Sequence, residues 1–300
     1  MDTNKPSLGH LLAFFTVLVW GTTFISTKIL LRSFSPVEIL FYRFGIGYLA
    51  LWLFCPRPLR LSIRRQEAYF AAAGLCGMTL YYLFENIALT YSLASSVGVI
   101  VSIAPFFTAL LAHFFLDGEA LRPNFICGFA CAITGIILIS WNGSAVFQLN
   151  PLGDILAVLA AFVWAVYSIL GRKISAFGYN TIQTTRRTFL WGLVFMIPAL
   201  ALFGFQFGFS RFAAPLNLAN MAYLAIGASA ICFVTWNLAV RVLGAVKSCV
   251  YIYMTPVISV IGSALILHER VTKVTVLGTA LTLMGLFLSE WRLPQRAAAE

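Results

Sequence analysis

The 300-residue sequence predicts an all-α membrane protein, with ten transmembrane helices laid out as an inverted structural repeat of five plus five. Three observations carry that expectation. The chain is 61% hydrophobic and only 10% charged, against about 25% charged residues in a soluble domain. So much apolar surface does not fit inside one core, and the solvent is therefore lipid. The apolar residues fall in ten runs of roughly 20 residues, the length a helix needs to cross a hydrocarbon core of about 30 Å. Finally, one stretch occurs twice. Ala94, Pro105, Glu119, Gly128, Gly135 and Trp141 recur in order as Ala245, Pro256, Glu269, Gly278, Gly285 and Trp291, offset by 151 residues up to the proline and by 150 from the glutamate onward.

The first run, about residues 8–31, contains Trp20-Gly21-Thr22-Thr23-Phe24 and lacks a small-residue cleavage site, which separates it from a removable signal peptide. The second, about 36–55, begins at Ser35-Pro36, proline being favoured in a first helical turn. Pro56 and the basic stretch from Arg57 to Arg65 read as an orientation signal and a lipid-headgroup contact. The third run, about 68–90, opens with small residues (Ala71 to Gly74) that allow close helix contact. It ends in Tyr81-Tyr82-Leu83-Phe84-Glu85-Asn86, with only a tight hairpin before the fourth run, about 93–116. The fifth covers about 123–141, and the polar segment from Trp141 to Pro151 is the natural midpoint.

The pattern then restarts in runs at about 153–171, 180–205, 219–240, 246–268 and 272–291. Trp20 matches Trp164 and Arg43 matches Arg187, while Asn86 matches Asn237, so the two repeats are 8–141 and 153–291. Five being odd, the second repeat enters the membrane upside down. Inverted repeats of this kind recur in secondary transporters, which hold substrate near the midplane between the halves.

The net charge of +10 is an orientation signal, and no nucleic-acid partner is expected. With the N-terminus inside, the inner segments hold twelve Lys and Arg (Lys5, Arg57, Arg60, Arg64, Arg65, Arg122, Arg172, Lys173, Arg241, Lys247, Arg292, Arg296). The outer segments hold five (Lys28, Arg32, Arg211, Arg270, Lys273). The positive-inside rule then places both termini in the cytoplasm.

The Trp20-Gly21-Thr22-Thr23-Phe24 motif, Arg43, Pro105, Glu119 and Gly128…Gly135, with their recurrence, resemble the tandem EamA domains of the drug/metabolite transporter superfamily over about residues 8–291. The resemblance implies a ten-helix carrier of the bacterial inner membrane, typically an exporter of amino acids or other small metabolites. It extends to the aromatic and threonine/homoserine amino-acid exporters. One departure is Ala165 where the first copy has Gly21.

Several residues are candidates for the site. Arg43 and Glu85 sit at similar depth on the second and third helices, and a lone charge there is costly. The simpler reading, which is preferred, is an ion pair; the alternative makes Glu85 a proton or substrate-amine site. Arg187 takes Arg43's place in the second half, where Trp236 replaces the glutamate, and Glu290, near the inner end of the tenth run, is an acid within reach. Arg187 reads as an interfacial snorkelling residue or as an anchor for a substrate carboxylate. Trp20 and Trp164 lie mid-run and, with Tyr81, Tyr82, Tyr167, Trp236, Tyr251 and Tyr253, suggest an aromatic-lined cavity, although many such rings are packing. Asn86 and Asn237 either satisfy backbone carbonyls or contact substrate. Pro105 and Pro256, mid-helix in both copies, suggest paired hinges. Trp141 and Trp291 read as interface anchors.

Catalytic and phosphate-binding signatures are missing. His268-Glu269-Arg270 is not a zinc HExxH motif, and no Gly-x-Ser-x-Gly elbow or phosphate loop occurs. The six cysteines lie in or beside apolar runs and read as packing residues, so no metal or cofactor is expected. The expected partners are a small-molecule substrate and the bilayer, with coupling to protons and the oligomeric state left open. An efflux carrier for hydrophobic cations is the alternative within transport. An intramembrane enzyme or lipid-modifying subunit is the alternative outside it.

Overall fold

The computed structural model describes residues 6–116, 123–141 and 151–290. Within them the chain is helical and holds no strand. The helical stretches are α1 (Pro6–Leu30), α2 (Pro36–Phe54), α3 (66–91), α4 (Ala94–Phe115), α5 (Pro123–Trp141), α6 (Pro151–Ser175), α7 (Thr181–Leu202), α8 (Pro215–Leu243), α9 (Ala245–Leu267) and α10 (Lys273–Glu290). Seven helices among the described residues are long and apolar enough to cross a membrane. Glu119, Arg122, Trp291 and most of the midpoint segment lie outside the described residues.

Local chemistry sets the helix ends. Ser35 caps α2 in a capping box with Glu38, each side chain bonding the other residue's backbone N–H. Asn180 caps α7 by accepting from the Ile182 and Gln183 amides. Gly244, at φ 90°, turns the chain from α8 into α9, a conformation that glycine adopts without strain. Glu269 of the repeated motif is a cap borrowed across the halves. Its carboxylate accepts from Ala94 N (2.9 Å), Ser95 N (3.2 Å) and Ser95 Oγ (2.7 Å) at the N-terminus of α4, where the helix dipole favours a negative charge.

Several helices are interrupted. α3 becomes π-helical over Leu75–Leu80, and α8 does so over Tyr223–Ile231, which covers the repeat-related positions. α4 breaks at Ser102 and Ile103, and α9 passes through a 3₁₀ segment over Val250–Met254. Pro105 and Pro256 therefore do not sit inside continuous helices. Each stands in the first turn of a new helical segment, where its missing N–H costs no hydrogen bond. Pro198 of α7 is the proline inside a helix.

Packing runs mainly between the halves. α1 lies against α8 and α9, as α6 lies against α3 and α4; α2 meets α8 as α7 meets α3; and α5 runs along α10. The repeated glycines make the last contact possible. A Cβ on Gly135 would sit 2.5 Å from the Gly278 carbonyl oxygen, and one on Gly285 would overlap the backbone of Gly128 and Ala132.

The burial pattern suits lipid. Arg43, Glu85, Asn86 and Thr185 are buried, while Leu53 and Phe54 are 74% and 82% exposed. In water that distribution would be costly twice over, through the exposed apolar belt and the desolvated charges.

Candidate functional site

The centre of the molecule is a cluster of rings from α1, α3, α6 and α8. The Trp20 and Trp164 centroids are 5.1 Å apart, edge to face; Trp20 lies 5.1 Å from Trp236, and Trp164 lies 4.9 Å from Tyr81 and 5.0 Å from Tyr167. Edge and tilted contacts of this kind contribute about 0.5–1.5 kcal/mol each beyond area burial. The π-helical segments position the rings. In α8, the Ala228 carbonyl accepts from Trp20 Nε1 (2.8 Å) and Ser229 Oγ accepts from Arg43 Nε (2.6 Å). In α3, Gly77 leaves the space that the Tyr167 ring fills. Such bulges re-aim the side chains on their C-terminal side. Those side chains are Tyr81, Tyr82, Glu85 and Asn86 in one copy and Phe233, Trp236 and Asn237 in the other.

A small cavity of about 30 Å³ opens beside this cluster. It is lined by Trp20, Tyr81, Tyr82, Glu85, Trp164 and Thr255, with Thr23, Phe24, Val101, Ala104 and Ile252. Its walls hold two buried polar atoms that have no hydrogen-bond partner among the described residues, Glu85 Oε1 and Trp164 Nε1. The Tyr81 hydroxyl interacts with the Glu85 carboxylate. Buried polar groups are nearly always satisfied, so an unsatisfied acceptor and an unsatisfied donor in one cavity suit a ligand that carries both complements.

Arg43 and Glu85 do not form the expected direct ion pair. The guanidinium bonds Ser229 Oγ and Tyr82 OH (3.2 Å) and stacks 4.1 Å from the Tyr82 ring centre. Tyr82 and the π segment of α8 thus capture the arginine and leave the carboxylate of Glu85, a residue of the cavity lining, without a direct arginine partner. Arg187 likewise finds an acid that the repeat pattern did not single out. Glu67, at the start of α3, takes Arg187 Nε (2.8 Å) and Nη2 (2.9 Å) and also accepts from Trp191 Nε1. A second bidentate pair, Arg211 with Glu38, ties the segment before α8 to the start of α2.

The remaining candidates are dispersed. Trp236 is fully buried against Trp20 and Trp164 and does not line the cavity, and its Nε1 also lacks a partner among the described residues. Asn86 donates to Pro36 O (3.0 Å), fastening α3 to the start of α2. Asn237 accepts from Tyr167 OH (2.9 Å) and donates to Thr185 Oγ1 (3.0 Å). Tyr251 and Tyr253 do not line the cavity. The 3₁₀ turn of α9 brings Ile252 inward and sends Tyr251 to His10 on α1 (2.8 Å). Thr23, part of the Trp20–Phe24 motif, also lines the cavity, and Thr255 is a lining residue that the sequence did not single out, because one threonine on an apolar helix carries no periodic signal.

The EamA-like transporter family model matches the chain twice, over residues 7–141 and 151–291. An uncharacterized transporter of Archaeoglobus fulgidus is 30% identical, over 93% of this chain and 96% of its own. The "Probable terminal-alkyne amino-acid exporter" of Streptantibioticus cattleyicolor is 28% identical over 91% and 90%. The "Probable amino-acid metabolite efflux pump" of Escherichia coli K12 is 25% identical over 96% and 97%. A crystal structure of a protein 22% identical superposes with a TM-score of 0.67 over 95% of this chain and 98% of that one, a shared fold. The chain carries the same transporter domain in tandem, its relatives are named as transporters and not as enzymes, and it belongs to the EamA-like transporter family of the drug/metabolite transporter superfamily.

Proposed function

We propose that this protein is a secondary carrier that exports small metabolites, foremost amino acids, across a bacterial inner membrane by alternating access. In this reading ten helices span the membrane, the second five inverted relative to the first, with both termini in the cytoplasm. Support for the inversion comes from the packing. Exchanging the two halves maps the main inter-half contacts onto one another, α1 against α8 and α9 onto α6 against α3 and α4, and α2 against α8 onto α7 against α3, as a twofold relation between the repeats would give.

The observation that carries the substrate class is the pairing of Glu85 Oε1 with Trp164 Nε1 in one aromatic cavity. An α-amino acid offers an ammonium to the carboxylate, a carboxylate to the indole N–H, and a side chain to the rings of Trp20, Tyr81 and Tyr82. The two relatives named for amino-acid export agree with that chemistry.

Counterflow in proteoliposomes tests the proposal. Labelled phenylalanine outside should accumulate against unlabelled phenylalanine inside and be recovered chemically unchanged. Exchange of hydrophobic cations with no exchange of any amino acid would replace it by the drug-efflux reading.

A further inference from the structure

A second pocket lies between α6, α7 and α8, at the end of the molecule where α6 turns into α7. It is narrow, about 20 Å³, and is lined by Tyr167, Thr181, Thr184, Thr188, Asn237 and Arg241, together with Gly171, Ile174, Ser175 and Tyr179. Two regular stripes build its polar wall. Thr181, Thr184 and Thr188 follow helical spacing on α7, and Asn237 and Arg241 stand one turn apart on α8.

The hydrogen bonds decide what this wall offers. The Tyr167 hydroxyl donates to Asn237 Oδ1 (2.9 Å), Thr184 to the Thr181 carbonyl (2.9 Å) and Thr188 to the Thr184 carbonyl (3.0 Å). Those protons are committed to neighbours, so the hydroxyl oxygens are left as acceptors. Arg241 uses one nitrogen on the Tyr179 carbonyl (3.2 Å), which leaves the rest of its donor fork uncommitted. Among the described residues, no Asp or Glu lines the pocket. One wall therefore takes N–H donors and the other takes an anion.

Tyr167 also divides this pocket from the central cavity. It lines the second pocket, where its hydroxyl bonds Asn237, and its ring packs on Trp164, which lines the first. The two spaces are neighbours across a pair of rings.

We infer that this pocket is a second, cytoplasm-facing subsite that receives the zwitterionic head group of an amino acid before it enters the central cavity. Arg241 takes the carboxylate, while the Thr184 and Tyr167 oxygens take the ammonium. Passage inward requires the Tyr167–Asn237 bond to open and the Tyr167 ring to leave Trp164. The inference rests on the amino-acid reading and on the orientation proposed above, and it adds a site that the central cavity does not need.

The test compares the two faces. Right-side-out and inside-out vesicles holding wild type, Arg241→Gln, Arg241→Lys or Thr184→Val are assayed for exchange of labelled phenylalanine, with unlabelled phenethylamine as a competitor that lacks the carboxylate. Arg241→Gln should raise KM at the cytoplasmic face about tenfold, or about 1.4 kcal/mol. KM at the outer face and the maximal rate should be unchanged, and phenethylamine should now compete there as well as phenylalanine. Arg241→Lys should restore most of the affinity, and Thr184→Val, which keeps side-chain shape, should show a smaller rise on the same face. An equal change on both faces, or a fall in maximal rate alone, would overturn the subsite while leaving amino-acid export intact. Wild-type vesicles that exchange no amino acid at either face would overturn both.

Discussion

At the scale of single residues, the proposed amino-acid reading turns on two atoms. Glu85 Oε1 and Trp164 Nε1 are buried without partners among the described residues, and each states what a ligand must supply. Trp164→Phe keeps a ring against Trp20 and Tyr81 but deletes the N–H. A hydrogen bond to a charged group contributes about 1.5–3 kcal/mol, so phenylalanine export should weaken at least about tenfold, while exchange of the corresponding amine, which has no carboxylate, should be spared. Competition in vesicles by phenylalanine and phenethylamine reads the difference; equal losses for both would reduce Trp164 to packing. Glu85→Gln is the complementary case. Because Arg43 is held by Ser229 and Tyr82 instead, the substitution breaks no ion pair. The purified variant should keep its Tm while losing affinity for amines about tenfold or more, the scale expected when a buried charge partner is removed. A drop in Tm with affinity intact would reassign Glu85 to structure. Retained affinity with transport that no longer responds to a proton gradient would make it the coupling group.

At the scale of elements, close backbone approach and helix interruption do the work. The α5–α10 contact depends on glycine, since at Gly135 any Cβ meets the Gly278 carbonyl and Thr282. Gly135→Leu should therefore lower stability by about 1–3 kcal/mol, the usual cost of overpacking. Gly45→Leu, where nothing lies within 4 Å, is the control. Thermal unfolding in detergent measures both, and equal Tm values would remove the glycines from the packing argument. The π segments of α3 and α8 act at the same scale. They occupy related positions in both repeats and run directly into the helical turns that carry Tyr81 and Tyr82 in α3 and Phe233 and Trp236 in α8.

At the scale of the whole molecule, the proposed orientation rests on charge and the proposed inversion rests on the repeat. Reporter fusions after Arg60 and after Gly178 should report the cytoplasm, and one after Gly143 should report the periplasm. A cytoplasmic signal at Gly143 would remove the inversion, and with it the pseudo-twofold placement of Trp20 and Trp164. The Glu269 cap on α4 joins the α9–α10 turn to the end of the molecule where Lys28 donates to the Leu89 and Ser92 carbonyls. Those contacts link parts of both halves at one end, and an alternating-access carrier must break and remake contacts of that kind.

The sequence alone determined what depends on composition, period and repetition. Lipid as solvent, helices as the element, a tandem repeat and the family all come from an apolar fraction and a spacing, because the bilayer tolerates few other backbones. It also marked Trp20, Trp164, Tyr81, Tyr82 and Glu85, which share one cavity. It did not find the Glu67–Arg187 pair, the π segments or the threonine stripe of α7, and it paired Arg43 with the wrong neighbour. The reason is physical. A hydrogen-bond partner is chosen by where helix rotation and crossing place it, and a one-residue π insertion turns every later side chain about its axis without changing the hydrophobic pattern. Arg43 met Ser229 and Tyr82 before it could meet Glu85. That choice, made only in the packed structure, is what leaves a carboxylate oxygen of a cavity-lining residue without a partner among the described residues.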